Sequence, residues 1–279
     1  MTIQTGKLTD DVRAECEATI GRTRVVADSM APEPAAKMAV LMGCAAPDLA
    51  LPPMWHWIYF NIGIAAEHQG RDLHEETGRF LPAAPFPRRM WAAGDVTVHE
   101  PLRIGMPAER RSKVTDVAFK EGKSGAMCFV TITHKISQDN ALAIEEKQTV
   151  VYRDRGAPDP GLRGPGDPVP DGYMLHTESQ LYFYSAVTHN GHRIHWDRDF
   201  CRVEEGYPDL VVHGPLMATE LCMQMHEGSY PYRFRFRAQA PVFLTTPVRY
   251  LPGEAGTPRE GRIERSDGVT SMSGTLTTP

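Results

Sequence analysis

A break rich in proline and glycine divides this chain of 279 residues into two parts. The segment 156–172 contains five prolines and five glycines and lacks apolar periodicity, which is typical of a linker. A chain of this length can bury two ordinary cores, since domains usually span roughly 100 to 150 residues. The sequence therefore predicts an N-terminal unit at 1–155 and a C-terminal unit at 173–279.

Both parts show the same order of patterns, a long apolar segment followed by strand-like runs. Residues 52–66 begin with two prolines and are apolar almost all round, which predicts a buried helix. Gly214-Pro215-Leu216 begins a second apolar helix that reaches about Met225. Alternating β-branched and aromatic residues predict strands at 94–102, 111–119, 126–136 and 142–152, and again at 232–237, 242–250, 261–266 and 269–276.

This repeated order predicts an α+β fold of two units, each with a central helix wrapped by an antiparallel sheet. The two sheets can lie edge to edge and form one continuous surface. An unrelated α+β protein would show similar runs, so the patterns alone leave the fold family open.

The overall charge argues against nucleic acid as a partner. The formal net charge is -5, and no run rich in lysine or arginine occurs. The acidic N-terminal residues do not resemble a signal peptide, and no apolar stretch of about 18 residues occurs, so we expect a cytoplasmic protein with no membrane contact. The five cysteines have no CxxC spacing, which favours reduced thiols, several of them buried.

A polar loop precedes the second apolar helix. The Thr177-to-Gln180 spacing is that of a capping box and predicts a short helix with Leu181, Tyr184 and Ser185 toward one side. We expect Gly191 to break this helix and to begin a turn that carries the polar run 188–197.

Several motifs in this region form an ordered set. They are the run Tyr184-Ser185-x-x-Thr188-x-Asn190-Gly191-His192-Arg193-Ile194-His195-x-Asp197, then Gly206-Tyr207-Pro208, Val211-Val212-His213-Gly214-Pro215-Leu216, and the N-terminal runs 51–57 and 87–94. The chain resembles the MaoC-like acyl-CoA hydratases of the double hot-dog fold, and within them most closely the mesaconyl-C4-CoA (3-methylfumaryl-CoA) hydratase group. The resemblance covers nearly the whole chain.

The resemblance implies reversible hydration of a short branched enoyl-CoA, with a dicarboxyl monothioester such as mesaconyl-C4-CoA or itaconyl-CoA as the leading substrate class. It places the activity in the C-terminal unit and leaves the N-terminal unit to bind substrate. No metal or redox cofactor is implied, because coenzyme A is part of the substrate. A homodimer is a further expectation.

The catalytic assignment also follows from the resemblance. The family's usual pair is an Asp and a His five residues apart, which fall on Asn190 and His195. An amide cannot take a proton as a carboxylate does, so we expect Asn190 to orient the water and His195 to transfer the proton. The backbone N–H of Gly214 is expected to face the thioester oxygen, where the start of a helix stabilises a developing enolate.

Other readings of the polar loop stay open. His189, His192 and His195 have the spacing of metal ligands on a helix, but Gly191 interrupts that helix. No carboxylate occurs at the sequence spacing of a further metal ligand. We expect His192 to order the loop. Asp197 either replaces the missing carboxylate or caps the turn after it, and His213 either contacts substrate or hydrogen-bonds the helix start.

The remaining candidates each have a structural alternative. Arg88 and Arg89 lie in a proline-rich segment and form either surface ion pairs or the site for a substrate carboxylate. Arg235 and Arg237 either meet the CoA phosphates or face solvent. We expect Trp91 and Tyr184 to contact the substrate. Packing is the structural alternative for Tyr184, Trp55 and Trp57, which are also expected to line an acyl tunnel.

Two other functions remain possible from the sequence. A hot-dog thioesterase would attack the carbonyl and release free thiol. A non-catalytic acyl-CoA-binding protein is the other alternative, because Asn190 stands at the Asp position.

Overall fold

The protein is built on one antiparallel sheet of nine strands in the computed structural model, which describes residues 8–122, 125–156 and 167–279. The strands are β1 (Thr23–Asp28), β2 (Arg88–Val98), β3 (Ala108–Gly122), β4 (Gly125–Gln138), β5 (Ala141–Arg153), β6 (Tyr232–Ala238), β7 (Val248–Leu251), β8 (Arg259–Arg265) and β9 (Thr270–Thr277). They lie in the order β1-β3-β4-β5-β2-β6-β9-β8-β7. The predicted α+β class is confirmed.

One helix precedes β1, and the others lie in the connections between the strands. They are α1 (Asp10–Glu17), α2 (Pro32–Met42), α3 (Glu178–Val187) and α4 (Gly214–Met225), with short 3-10 helices at Trp55–Ile58, Ala66–His68, Arg71–Leu73 and Arg193–His195 and a π-helix at Phe200–Glu205. None of the helices in the described ranges is long and apolar enough to cross a membrane.

The two parts of the chain meet in the sheet where β2 pairs with β6. Val96 of β2 lies opposite Glu146 on one side and opposite Phe234 on the other. The sheet is therefore continuous across the two units, as the repeated pattern predicts. Residues 157–166 of the predicted linker lie outside the described residues, so the unit boundaries stay a prediction.

The helix α4 is the central helix predicted for the C-terminal unit. It begins at Gly214 and has Pro215 in its first turn, where a missing N–H costs nothing. It packs against β6, β8 and β9. Its buried residues are Leu216, Met217, Ala218, Thr219, Leu221, Cys222 and Met225.

The long helix predicted at residues 52–66 is wrong. Only the 3-10 turn Trp55–Ile58 forms there, between the left-handed residues Met54 and Phe60. The segment instead donates to carboxylates of other elements: the half-buried Trp57 donates its indole N–H to Glu146, and the Phe60 backbone N–H donates to Asp28. A segment that is apolar all round can thus be buried without being helical.

The N-terminal unit has its longer α-helix earlier in the chain than predicted, at α2. Pro at the first turn and Gly43 at the C-cap, with φ 64°, delimit this helix, and its face of Ala35, Met38 and Ala39 is buried. It packs against the 3-10 turn Trp55–Ile58 and against α3.

Two strand predictions differ from the structure by more than three residues at an end. Strand β2 begins at Arg88 and not at residue 94, so Arg88, Arg89 and Trp91 lie on a strand and not in a loop. The run predicted at 242–250 forms a strand only from Val248, because Phe243 pairs instead with Val211 in the segment before α4.

Candidate active site

The loop that carries the predicted catalytic residues follows α3. The capping box at Thr177 and Gln180 is confirmed at the start of this helix. The helix ends at Val187, where the Thr188 hydroxyl donates to the Tyr184 carbonyl, and His189 takes a left-handed conformation with φ 53°. The break therefore comes before Gly191, and the prediction that Gly191 itself ends the helix is wrong.

Gly191 is required for another reason. A β carbon at this position would overlap the carbonyl oxygen of Asp72, a residue of the N-terminal unit. The polar loop thus lies against the segment 71–76 with no room for a side chain at Gly191.

His195 is a buried histidine whose tautomer is set by one hydrogen bond. Its Nδ1–H donates to the Val211 carbonyl over 2.7 Å, which leaves the lone pair on Nε2. Burial lowers the pKa of His195 to about 4, a shift that the hydrogen bond to Val211 opposes and that His74 adds to. The ring is therefore neutral at pH 7 and can accept a proton at Nε2.

His213 is fully buried and supports the ring of His195. The two rings are stacked with centroids 3.6 Å apart and planes inclined by 19°. The Nε2 of His213 lies 2.9 Å from the Ser185 hydroxyl, and its Nδ1 has no protein partner in the described part of the chain. The His213 side chain makes no hydrogen bond to the start of α4, so that alternative is wrong, and contact with the substrate stays a prediction.

Asn190 is held by its amide oxygen. The backbone N–H of His192 donates to Oδ1 over 3.1 Å, and His74 Nε2 lies 3.1 Å from the same oxygen. The Asn190 N–H donates to the Ser185 carbonyl. Within the ranges described, the side-chain NH2 of Asn190 has no protein partner, so this group is available as a donor.

Gly214 begins α4 directly after His213. Its backbone N–H has no acceptor among the described residues, and a β carbon placed there would meet open space. The start of the helix therefore has both a free donor and room for a ligand atom.

Asp197 caps the turn that follows His195. Its Oδ1 accepts the Phe200 N–H over 3.0 Å, and its Oδ2 accepts two bonds from Arg193 at 2.9 and 2.6 Å. Both carboxylate oxygens are engaged in ordering the loop. These contacts fit the prediction that Asp197 caps the turn, and they do not fit the alternative that it replaces the missing base.

His192 also orders the loop. Besides its N–H bond to Asn190, its ring packs edge-to-face on His195 at 5.7 Å, and its Nε2 lies 3.8 Å from an oxygen of Asp72. The described residues contain no group of three or more side chains placed to hold a metal ion.

The two adjacent arginines have different surroundings. Arg88 is buried, donates from Nε to Glu205 over 2.9 Å and to the Glu205 carbonyl, and lies over the Tyr207 ring. Arg89 is half-buried on the other side of β2, opposite Tyr152, and has no carboxylate at ion-pair distance in the described ranges. Burial is the main cause that lowers the pKa values of His74 and His192, and the charge of Arg89 adds to both shifts.

The other predicted residues lie outside this constellation or support it. Trp91 donates its indole N–H to the Ala93 carbonyl and packs on Trp57. Tyr184 is buried against His213, with ring centroids 4.8 Å apart. Arg235 and Arg237 are exposed on the face of β6 opposite its buried aromatic residues, and their role toward CoA phosphates stays a prediction.

Sequence reasoning missed two residues of the site. His74 comes from the N-terminal unit and meets Asn190 only because the segment 71–76 folds against Gly191. Ser185 links Asn190 to His213 through its carbonyl and its hydroxyl. No local motif marks His74, whereas the capped helix α3 gave a signal for Ser185.

The sequence matches the family of hydroxyacyl-thioester dehydratases type 2 (Htd2) over residues 54–244. The chain belongs to this family. It is 40% identical over 275 residues to the mesaconyl-C(4)-CoA hydratase of Chloroflexus aurantiacus, covering 94% of this chain and 98% of that protein. It is 27% identical to the mitochondrial hydroxyacyl-thioester dehydratase type 2 of Schizosaccharomyces pombe, covering 74% of this chain and 79% of that one. The predicted resemblance is confirmed, and the protein is a hydro-lyase of the hydratase and dehydratase class.

Solved structures show the same fold at low sequence identity. HtdX of Mycobacterium tuberculosis is 16% identical, with a TM-score of 0.67 over 91% of this chain and 100% of that one. A conserved hypothetical protein of the same organism, which has a double hotdog fold, is 10% identical, with a TM-score of 0.57 over 92% of this chain and 96% of that one. The Htd2 chain described here is therefore a double hot-dog protein, as predicted.

Proposed function

We propose that this Htd2 protein adds water reversibly across the α,β double bond of a short branched enoyl-CoA that carries a second carboxylate, with mesaconyl-C4-CoA as the leading substrate and itaconyl-CoA as a further one. The observation that carries the proposal is the neutral His195, whose Nε2 is a free base in the same constellation as the open start of α4. The expected cytoplasmic location, the homodimer and the lack of a further cofactor stay predictions.

The reaction uses three groups of the site. Water bonds to the β carbon while its proton passes to His195 Nε2, and the electron pair of the double bond moves onto the thioester oxygen. The Gly214 N–H and the positive end of α4 stabilise this enolate oxygen. The α carbon then takes the proton from His195, which returns to its neutral form.

Asn190 orients the water through its NH2 group. Because the Oδ1 already accepts two hydrogen bonds, the free side-chain donors are on Nδ2. A donor to one lone pair of the water leaves the other lone pair for the β carbon and one O–H for His195. The amide thus acts by position, and a single histidine accepts the water proton and then donates it to the α carbon.

Arg89 is the arginine we assign to the second carboxylate of the substrate. Arg88 already has Glu205 as its partner, whereas Arg89 has no carboxylate partner in the described residues, and its charge adds to the lowering of the pKa values of His74 and His192. A charge-assisted contact is worth about 1.5 to 3 kcal/mol, or roughly 10- to 150-fold in kcat/KM. A dicarboxyl monothioester should be preferred over crotonyl-CoA by about that factor.

The test is a panel of enoyl-CoA thioesters assayed for hydration by the wild type, Arg89→Met and, as a matched control, Arg111→Met at an exposed arginine. Arg89→Met should lower kcat/KM for mesaconyl-C4-CoA by roughly 10- to 150-fold and spare crotonyl-CoA. Equal loss on both substrates would assign Arg89 to the CoA moiety or to the loop. No loss on either would remove the argument for a dicarboxyl substrate.

The reaction products distinguish a hydratase from a thioesterase and from a non-catalytic binding protein. A thioesterase would release free CoA thiol from every active substrate. A binding protein would retain the ligand without turnover. The proposal requires that water is added and the thioester stays intact.

A further inference from the structure

The segment before β2 reaches from the N-terminal unit into the catalytic loop. Two consecutive residues, Asp72 and Leu73, have left-handed backbones with φ 66° and 60°. Such conformations cost about 1 kcal/mol or more for residues other than glycine and are concentrated at functional sites. Here they bring His74 to Asn190, at the same place where Gly191 lies against the Asp72 carbonyl.

The hydrogen bond from His74 has a defined direction. The backbone N–H of His192 can only donate, so the Asn190 atom that it faces is the oxygen Oδ1. An amide oxygen can only accept, so His74 must carry its proton on Nε2, which lies 3.1 Å from that oxygen. Two donors therefore hold the amide from one side, and the NH2 is turned to the other.

We infer that His74 is a positioning residue of the active site, which fixes the Asn190 amide so that its NH2 group faces the reacting water. This inference rests on the proposed function for the step that it assists. His74 acts through Asn190, because its Nε2–H is used in the bond to the amide oxygen. The N-terminal unit, expected only to bind substrate, thus supplies a part of the catalytic arrangement.

The surroundings of His74 keep it a neutral donor. The charges of Arg89 and His189 add to the lowering of the pKa of His74. His74 in turn adds to the lowering of the pKa values of His192 and His195. Burial and Arg89 lower the pKa of His74 to about 4, although its bond to Asn190 opposes the shift. At neutral pH, His74 therefore donates one N–H without a charge.

This arrangement gives a physical reason for an amide at position 190. A carboxylate there would accept from His74 and stabilise its charged form, which would raise the pKa of His74. It would also present no N–H to the water. With Asn190, the neutral histidine and the amide form a pair of fixed dipoles, and His195 stays the base that we assign to the water.

The first test is a pair of substitutions at His74. His74→Gln keeps an N–H near the position of Nε2 and should retain kcat within about 3-fold, whereas His74→Phe should lower kcat by roughly 10- to 100-fold with little change in KM. Both are measured on mesaconyl-C4-CoA and on crotonyl-CoA, and the loss should be the same for the two. Equal loss in both variants, or none in His74→Phe, would overturn the assignment.

The second test does not depend on turnover. In protein labelled with ¹⁵N-histidine, multiple-bond NMR spectra should show His74 as the Nε2–H tautomer, and Asn190→Asp should raise the pKa of His74. An Nδ1–H tautomer, or a pKa that is unchanged in Asn190→Asp, would contradict the hydrogen bond. If the wild type hydrates no thioester of the panel, the proposed function fails, and these spectra still decide whether His74 holds Asn190.

Discussion

The ring of His213 lies flat against the ring of His195, with centroids 3.6 Å apart and planes inclined by 19°. His213 is completely buried at the start of α4 and is held by Ser185, so it gives His195 a rigid surface to rest on. The bond from His195 Nδ1 to Val211 fixes the same ring along its edge. The direction of Nε2 is thus set by two independent contacts.

Loss of the stacked ring should therefore slow the reaction without weakening substrate binding. We expect His213→Leu, which keeps the site filled with apolar volume, to lower kcat by roughly 10-fold or more and to change KM little. Steady-state kinetics measure this, with the exposed His99→Leu as the control. A folded His213→Leu variant with normal kcat would show that the stacking does not position His195.

Arg88 should be a residue of stability and not of catalysis. Arg88 forms a buried ion pair with Glu205, so Arg88→Met leaves the Glu205 carboxylate buried without its partner. This should lower the free energy of unfolding by about 3 to 5 kcal/mol. Urea denaturation of Arg88→Met and Arg89→Met makes the comparison, since Arg89 has no such partner within the described ranges. Equal stability of the two variants would contradict the different roles assigned to the two arginines.

Gly191 should tolerate no side chain. In Gly191→Ala the new β carbon meets the Asp72 carbonyl, so the two segments must separate, and we expect a loss of about 1 to 3 kcal/mol in stability together with a lower kcat. Gly63→Ala is the matched control, because a β carbon there meets nothing. The prediction is wrong if thermal unfolding and turnover of Gly191→Ala match those of the control.

The buried histidines should make the protein less stable in acid. Burial lowers the pKa values of His74 and His195 from 6.5 to about 4, so between these values the unfolded chain binds more protons than the folded protein. The stabilisation is complete above pH 6.5 and is lost as the pH falls to about 4. Each histidine contributes about 1.4 kcal/mol per pH unit in this window.

The slope of stability against pH measures this contribution. His195→Asn should reduce the slope of stability against pH between pH 6.5 and 4 by the contribution of one histidine, about 1.4 kcal/mol per pH unit. The exposed His99→Asn should leave the slope unchanged. An unchanged slope in His195→Asn would show that His195 is protonated in the folded protein at mild pH.

The sequence was sufficient for elements with strong local signals. The capping box at Thr177, the helix from Gly214 and the alternating residues of β4, β5 and β6 all predict what the structure has. The 3-10 turn Trp55–Ile58 was predicted as a long helix because burial on all sides imitates a core helix. Its conformation depends on Asp28 and Glu146, which are remote in the sequence.

The candidate site was predictable only where a motif is local. Asn190, His195 and Gly214 follow from the resemblance of one short region and lie together around the start of α4. His74 and the difference between Arg88 and Arg89 depend on long-range packing: His74 meets a residue 116 positions away, and Arg88 one 117 positions away. Such pairs leave no spacing that a single sequence can show.

The proposed reaction depends most directly on His195 as the base that activates water for addition to an intact thioester. The decisive measurement is the initial rate at which mesaconyl-C4-CoA takes up oxygen from ¹⁸O-labelled water, followed by mass spectrometry of the thioester with the wild type and with His195→Ala. We expect the wild type to form a hydrated thioester with one labelled oxygen, and His195→Ala, still folded, to do so roughly 100-fold or more slowly. Release of free CoA by the wild type, or a folded His195→Ala variant that incorporates label at a near-normal rate, would contradict the account.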